Sequence, residues 1–397
     1  MLRKPPNIEL TMPSADYAAL LCTNFDWWQE ALNVKLPVGL YDAMSEAKAK
    51  AIELDDRRKA TAPFTMGGEL FQMQAVGSRG KEYLLVNDDI RLEVGSPNME
   101  WSVTWRATAA ALWEYGVHAL RERVYTMLRK AMIVPYRPDE RWYSLSRVDY
   151  AFDFWSPAFT KEMVASLVNS VVTPAPSKWR GDMLGNCALN NDGEVKAQTL
   201  TIGSKKGCQV QIYDKTAEIV EASGKEWMLE IWGERGGYWP TGNPKDVWRL
   251  EARMAGSWLK DRIDKNPDKF FENQWQLIAD ALFNRRLTVP NVTDNNRWRW
   301  PLHPLYSLAI DEIENPQEFV PVGRKVTMRR SQLTEMLINN IAGTLRSALV
   351  LQDVGSITEE MATELTTKVI DRMLRDEAHD LKIERAENRY EMVEEAR

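Results

Sequence analysis

Three stretches of the chain place ionisable and apolar residues in strict alternation. In SLSRVDYAFDF, Arg147, Asp149, Ala151 and Asp153 alternate with Val148, Tyr150, Phe152 and Phe154. In QVQIYDK, Gln209, Gln211 and Tyr213 alternate with Val210 and Ile212, and in VWRLEARM, Arg249, Glu251 and Arg253 alternate with Trp248, Leu250, Ala252 and Met254. Successive side chains of a strand point to opposite faces, so each stretch, if extended, has one apolar and one ionic face. Joined in one sheet, the three would gather carboxylates, arginines, glutamines and a tyrosine on one surface, with helices over the other. Lys and Glu are the usual occupants of a merely solvated face. Acids set beside arginines and a tyrosine suit the handling of metal and phosphate instead, and a salt-bridged outer face is the other reading.

A tyrosine hydroxyl is a nucleophile only when its proton and the growing charge on its partner are managed. Of the tyrosines near these stretches, Tyr213 shares the ionic face with Asp149 and Glu251. Tyr150 points to the apolar face, Tyr143 precedes its strand, and Tyr238 lies in a Gly-rich stretch. His118, His303 and His379 are isolated from one another, so a metal ion here would need oxygen ligands. Asp149 and Glu251 are the best placed, with Asp153 next, and Mg²⁺ or Mn²⁺ suits such hard donors. Lys215, Arg249 and Arg253 are the cations expected to offset developing charge.

The motifs SRVDYAFD, TIGSKKGCQVQIYDKTAE and VWRLEAR, in that order, resemble the replication initiators of rolling-circle plasmids and some filamentous phages, of the type without paired metal-binding histidines. They look like that family's Arg-x-Asp strand, its Gly-Ser turn and strand ending in Tyr-x-Lys and a Glu, and its Arg-Leu-Glu strand. The likeness covers about residues 80–270. Gly207-Cys208 departs from it where the family often carries a Ser after the basic pair.

The resemblance implies a nickase and strand transferase in which Tyr213 leaves a 5′-phosphotyrosine and a free 3′-hydroxyl. Its substrate would be origin DNA, single-stranded or in a hairpin, and it admits a host helicase and a homodimer as further partners. Arg147, Gln209 and Gln211 on the ionic face, Lys205 and Lys206 in the turn, and Arg297, Trp298, Arg299 and Trp300 beyond the motifs are the expected DNA contacts. Two other classes fit the same residues: a non-catalytic nucleic-acid-binding sheet, and a primase or polymerase palm in which Asp149 and Asp153 hold two ions.

The elements that would position these groups follow from periodicity and punctuation. Helices are expected near 15–32 and 41–60, then strand-like runs KEYLLVNDDIRLEVG and MEWSVTWRA, and a helix near 107–131. Next come the first ionic strand, a helix over 159–170, strands at QTLTIGS and QVQIYDK, a helix over 215–222, the strand DVWRLEARM and a helix from about 256. Segments 174–195 and 223–245, rich in Gly, Pro, Asn and Trp, read as long loops or irregular hairpins. DEIENPQEFVPVGRK (311–325) reads as a linker, and helices are expected near 328–352, 357–378 and 380–395, with Ser356 and Glu359 as a capping box. The fold class is therefore α+β, a largely antiparallel sheet with helices on one face and a polar catalytic face on the other. The nicking domain spans 1–310, a linker 311–326, and a small helical unit 327–397.

The 397 residues, 44% hydrophobic and 27% charged, allow one large core and a smaller unit. A net charge of −6 argues against a protein coated in basic residues but leaves room for a local cationic face. Most of the 16 tryptophans are expected to fill core. Cys22, Cys187 and Cys208 are too few and too scattered for a disulfide framework or a metal knuckle, and no long apolar run or leader-like N-terminus is present. The expectation is a cytoplasmic protein with reduced thiols and no membrane partner.

Overall fold

A computed structural model describes residues 10–53, 61–174, 184–189, 195–239, 244–291, 293–316, 328–329, 358–375 and 392–393. The chain divides into two compact units, Met1–Pro321 and Val322–Arg397.

The first unit is α+β and is built on one eleven-stranded sheet. Its strands are β1 (Ala19–Leu32), β2 (Thr61–Met66), β3 (Glu69–Gln74), β4 (Tyr83–Val86), β5 (Ile90–Val94), β6 (Val103–Ala107), β7 (Tyr143–Trp155), β8 (Leu184–Leu189), β9 (Val195–Gly203), β10 (Cys208–Asp214) and β11 (Val247–Ala255). They lie in the order β8-β9-β10-β11-β7-β1-β6-β5-β4-β3-β2, and every pairing is antiparallel. The three ionic stretches are therefore the adjacent strands β10, β11 and β7. The register sets Tyr213 opposite Arg249, Gln211 opposite Glu251 and Gln209 opposite Arg253. It then sets Arg249 opposite Asp153, Glu251 opposite Ala151 and Arg253 opposite Asp149. Directly opposed residues share a face, so the alternation read from sequence survives across all three strands.

The other face is the core. Val148, Phe152, Phe154, Val210, Ile212, Leu250, Ala252 and Met254 are buried in one apolar cluster with residues of α6 (Gly256–Ile263) and α7 (Pro267–Phe283). Helix α7 starts where Asn266 accepts bonds from the amides of Asp268 (2.9 Å) and Lys269 (3.4 Å), with Pro267 as its first residue. Its Phe270, Leu277, Ile278, Ala281 and Leu282 are buried, and burial of each large apolar side chain contributes roughly 1.5–3 kcal/mol. Tyr150 belongs to this side, edge-on to Phe25 (5.1 Å) and Trp275 (5.7 Å).

Several sequence expectations are corrected. The stretch expected as a helix near 15–32 is the central strand β1. Its register against β7 slips between Leu20 and Cys22 and between Phe25 and Trp27, which scrambles the period-two signal. The second expected helix is α1 (Val38–Glu53), and residues 54–60 lie outside those described. The helix expected over 107–131 is α2 (Ala109–Lys130), capped by Thr108 and broken at Gly116, whose φ of 75° only glycine adopts readily. Just before the break the side-chain amide of Asn24 donates to the Leu112 carbonyl (3.1 Å).

Segment 174–195 contributes strand β8 in a hairpin with β9, and segment 223–245 holds helix α5 (Trp227–Gly236) rather than a loop. Helix α3 (Lys161–Ser166) precedes the first segment, and α4 (Lys215–Glu218), continuing as a wider turn to Ser223, lies between the two. Helix α8 (Pro304–Glu314) runs into the stretch expected as linker.

In the second unit, helix α9 (Glu359–Leu374) falls where a helix is expected. At its start the Thr358 hydroxyl accepts from the Met361 amide (3.4 Å), and Ser356, expected in a capping box with Glu359, lies outside the described residues. Met328–Arg329 pairs in parallel with Met392–Val393, so those four residues are strand where helices are expected. The remainder of the expected 328–352 and 380–395 helices lies outside the described residues.

Candidate active site

The ionic face begins with the Tyr213 hydroxyl, which donates to Glu251 Oε2 at 3.1 Å. Glu251 is buried and takes both arms of Arg253, Nε to Oε1 at 2.9 Å and Nη2 to Oε2 at 3.0 Å. Asp149, also buried, takes both arms of Arg147 (2.9 and 2.5 Å), while Arg253 Nε stands 3.8 Å from Asp149 Oδ2. The two carboxylates thus share one guanidinium, and Asp149 holds a second. Burial raises the pKa of Asp149 above the usual carboxylate range, the Glu251 charge adds to that, and Arg147 opposes it. Burial pushes Glu251 the same way, but Arg253 overcomes it and holds Glu251 low, so the pair keeps its harder-to-lose proton on Asp149. Tyr213 is pushed well above an ordinary phenol, first by burial and then by the Glu251 charge, against the pull of Arg249 and Arg253.

Lys215 follows Tyr213 at the spacing that returns to the same side. It is buried, with its ammonium 5.8 Å from the Tyr213 ring centre and bonded to Glu218 (2.5 Å). Asp214 between them starts α4, accepting from the Ala217 amide (2.9 Å), and this fixes where the strand stops. Burial, then the charge of Arg249, makes Lys215 easier to deprotonate than a free lysine.

Asp153, expected next after Asp149 and Glu251 as a metal ligand, is engaged instead with Arg249. Asp153 accepts Arg249 Nε (2.6 Å) and Nη2 (2.8 Å) and the indole N–H of Trp232 in α5 (2.8 Å), and both partners of the ion pair are wholly buried. With both oxygens taken, Asp153 anchors Arg249. The third arm of Arg249 reaches Asp26 Oδ1 at 2.8 Å. Against the upward push of burial, the Arg249 charge, with Lys225 and Lys215, holds Asp26 at about 2. Arg249 is therefore a fixed charge directly opposite Tyr213 on the neighbouring strand, with Nε, Nη1 and Nη2 already engaged.

Sequence reasoning missed Asp26, Trp27 and Trp232. The register slip between Phe25 and Trp27 is a bulge at Asp26, a device that re-aims side chains beside sites, and it brings Asp26 to Arg249 while Trp27 still faces Asp149. No alternation could announce it.

The expected DNA contacts divide. Gln211 is tied to Thr201 Oγ1 (2.9 Å) and lies beside Glu251. Gln209 is buried, and its side-chain oxygen has no partner among the described residues. Lys205 and Lys206 are exposed at the tip of the β9–β10 hairpin, a turn that Gly203 enters with φ of 98°. They sit at the Gln209 end of β10, about 20 Å of strand from Tyr213 at ~3.3 Å per residue. Arg297, Trp298, Arg299 and Trp300 form a short 3₁₀ turn after α7. Arg299 is paired with Asp294 (2.7 Å), the Trp300 indole with the Asp294 carbonyl (2.6 Å), and Trp298 packs under Arg286 (5.0 Å), while Arg297 stays exposed over Trp300. No hydrogen bond or ion pair among the described residues joins this turn to the ionic face.

Asp149, Glu251 and the unpartnered Gln209 oxygen are hard donors of the kind Mg²⁺ or Mn²⁺ prefers; an ion would take carboxylate oxygens that Arg147, Arg253 and Tyr213 hold here, and these partners, unlike the wholly buried Arg249 on Asp153, are partly exposed. Among the described residues no three His, Cys, Asp or Glu side chains cluster closely enough to hold a metal by themselves. An ion here would complete its shell with amide, water or substrate oxygens. A separate cavity of about 590 Å³, lined by Asn24, Gly116, Tyr150, Arg235, Trp275 and Glu312 among others, borders Tyr150 and includes none of Tyr213, Asp149 or Glu251.

No family model matches the chain, and no curated protein matches it. Among solved structures, a rolling circle replication initiator protein from Geobacillus stearothermophilus is similar over 75% of this chain and 98% of its own, with a TM-score of 0.39 and 13% identity. At that similarity no residue role is carried across. Among the described residues, no helix is long and apolar enough to cross a membrane.

Proposed function

We propose that the protein nicks and rejoins single-stranded or extruded origin DNA through Tyr213, initiating rolling-circle replication. The observation that carries this reading is the Tyr213 hydroxyl set on Glu251 at 3.1 Å, on one ionic face with Asp149, Arg253 and Lys215. The motif resemblance places a reactive tyrosine at the same position.

In this mechanism Tyr213 Oη forms a bond to phosphorus as the bond to the 3′ oxygen breaks, leaving a 5′-phosphotyrosine and a 3′-hydroxyl that takes a proton from solvent. Reversal by a 3′-hydroxyl reseals the strand with no outside energy source, because the phosphoester is conserved. Glu251 Oε2 holds the phenolic proton and aims the oxygen. The positive charges of Arg249, Arg253 and Lys215 stabilise the phenolate as the proton leaves. Asp149 and Glu251 would hold Mg²⁺ or Mn²⁺, which supplies polarisation of a non-bridging phosphate oxygen. Asp153, with Trp232 and Arg249, keeps that arginine in place.

A polymerase palm would need Asp149 and Asp153 both open to metal, and Asp153 is closed by Arg249 and Trp232. An inert binding sheet would have no covalent chemistry. Incubation of the full chain with a single-stranded origin fragment and Mg²⁺ or Mn²⁺ is expected to give a protein–DNA band that survives denaturant. Intact DNA with no such band under either metal would overturn the proposal.

A further inference from the structure

The ionic face continues past Asp149 on the other side of β7. Arg147 lies opposite Gln29 of β1, Gln29 lies opposite Arg106 of β6, and Arg106 lies opposite Arg91 of β5. One row of the sheet therefore carries three arginines and a glutamine, about 19 Å from the strand of Glu251 to that of Arg91 at ~4.8 Å per strand. Trp27 is clasped in this row. The Arg147 guanidinium stands 4.1 Å from its ring centre and that of Arg106 stands 4.2 Å away.

Most of the cations here have partners. Arg147 is held by Asp149, and Arg91 by Glu93 (3.0 Å) and Ser78 (2.7 Å). Arg106 is half-buried and has no carboxylate partner among the described residues, only the face of Trp27. Burial, then the like charges of Arg91 and Arg79, lowers its pKa to about 10, with Glu93 the one opposing group. A guanidinium left this way among its own kind costs free energy that a bound anion would return.

Arg79 points to the same ligand. It occupies the tight turn between Ser78 and Lys81 with φ of 51°, followed by Gly80 at 78°, where Asn or Gly is the ordinary first residue. The fold thus accepts a strained backbone and places an exposed arginine beside Arg91 and Arg106, around a small depression that Gln29 and Thr104 also line.

We propose that Arg106 and Arg79, continued by Arg91 and Arg147, bind the sugar-phosphate backbone of the same single DNA strand that Tyr213 cleaves. The proposal rests on the nickase reading. Phosphate is the chemistry indicated, because planar guanidiniums match its oxygens, and because two guanidiniums already lie against the Trp27 ring where a base would stack. The contacts would set the register of the strand over the site and carry no base information.

The test is binding of a labelled single-stranded origin oligonucleotide by the full chain in a chelator, across a salt series, for Arg79→Gln, Arg106→Gln, the double variant and Arg106→Lys. The dependence of log affinity on log salt should flatten by about 0.7 for each phosphate that a substitution leaves unneutralised, thus by about 1.4 in the double variant, with Arg106→Lys near the parent. The parent should also gain affinity as the oligonucleotide is lengthened on one side of the cleavage position, and the double variant should not. Arg79 is exposed in a turn, so Arg79→Gln reports on binding even if Arg106→Gln melts early. A parent that binds and forms the covalent adduct, beside variants with unchanged slope and unchanged length dependence, overturns this proposal alone. A parent that neither binds single strands nor forms the adduct overturns the nickase reading with it.

Discussion

Two buried carboxylate clusters in the first unit invite comparison. Glu30, wholly buried, accepts the Trp28 indole (2.9 Å), Arg121 Nε (2.8 Å) and the Tyr125 hydroxyl (2.5 Å), and Arg121 goes on to Asp268 (2.9 Å). Asp149 and Glu251 are equally buried, and they too hold arginines and a tyrosine. Around Glu30 each of these donors has its acceptor in the protein, so that cluster ties α2 and α7 to β1. Around Asp149 and Glu251 two carboxylates crowd each other, and among the described residues the Gln209 oxygen is left over and Arg106 is paired with no carboxylate. Burial of charge is common to both. What distinguishes a site from a strut is the unspent valence around it.

The contrast can be broken most sharply at the tyrosines. Tyr213→Phe should abolish the adduct and lower cleavage by about a thousandfold or more while melting and DNA binding stay near the parent, as expected when a sole nucleophile is removed. Tyr125→Phe should leave cleavage intact. If peptide mapping put the DNA on another tyrosine, the assignment would fall and the reaction class would stand. Next in size, Glu30→Ala leaves the Trp28 indole and the Tyr125 hydroxyl without their acceptor and Arg121 with Asp268 alone, and should cost about 3 kcal/mol of stability by denaturant titration. Glu251→Ala also strands an arginine, one more exposed than Arg121 (23% against 14%), and should cost less; equal losses would erase the proposed difference between strut and site.

Asp149→Ala is then expected to weaken Mn²⁺ binding by about 10-fold to 100-fold and metal-dependent cleavage with it, leaving DNA binding in place; unchanged nicking at limiting metal would remove Asp149 from the ligand set. Because metal takes the ionised carboxylate and burial raises Asp149 to about 8, Mn²⁺ affinity should climb with pH through the neutral range and level off above that value. Titration calorimetry at several pH values checks the sign, and a flat profile contradicts it. The smallest effect is expected from replacing Arg297 and Arg299 together. Arg299 already serves Asp294, so the salt slope should flatten by at most about 0.7, the share of one phosphate.

The ionic face was legible because β7, β10 and β11 alternate without interruption through Arg147–Asp153, Gln209–Tyr213 and Arg249–Arg253. The pairing that turned three separate patterns into one surface followed from them. What alternation could not reach was β1, where the slips at Leu21 and Asp26 put Leu20-Leu21 and Trp27-Trp28 side by side and mimic a helical apolar stripe. Asp26, Trp27 and the Arg106 row were hidden with it. Helix α5 was masked by its glycines and tryptophans, and with it the Trp232 indole that closes Asp153. Reading Asp153 as a ligand followed from counting its face correctly without knowing its partner.

The sheet order also has a consequence for how the protein is made. β7 is flanked by β1, more than a hundred residues before it, and by β11, about as far after it, so the site joins three remote parts of the chain. Loop closures of that span are slow and gain nothing until the distant partner arrives. While the ribosome is still short of residue 247, Asp149 can meet Trp27 but neither Glu251 nor Arg249 exists to complete the face. Nascent and prematurely terminated chains therefore carry the tyrosine without its carboxylate partner, and the complete ionic face arises only as one late, cooperative event.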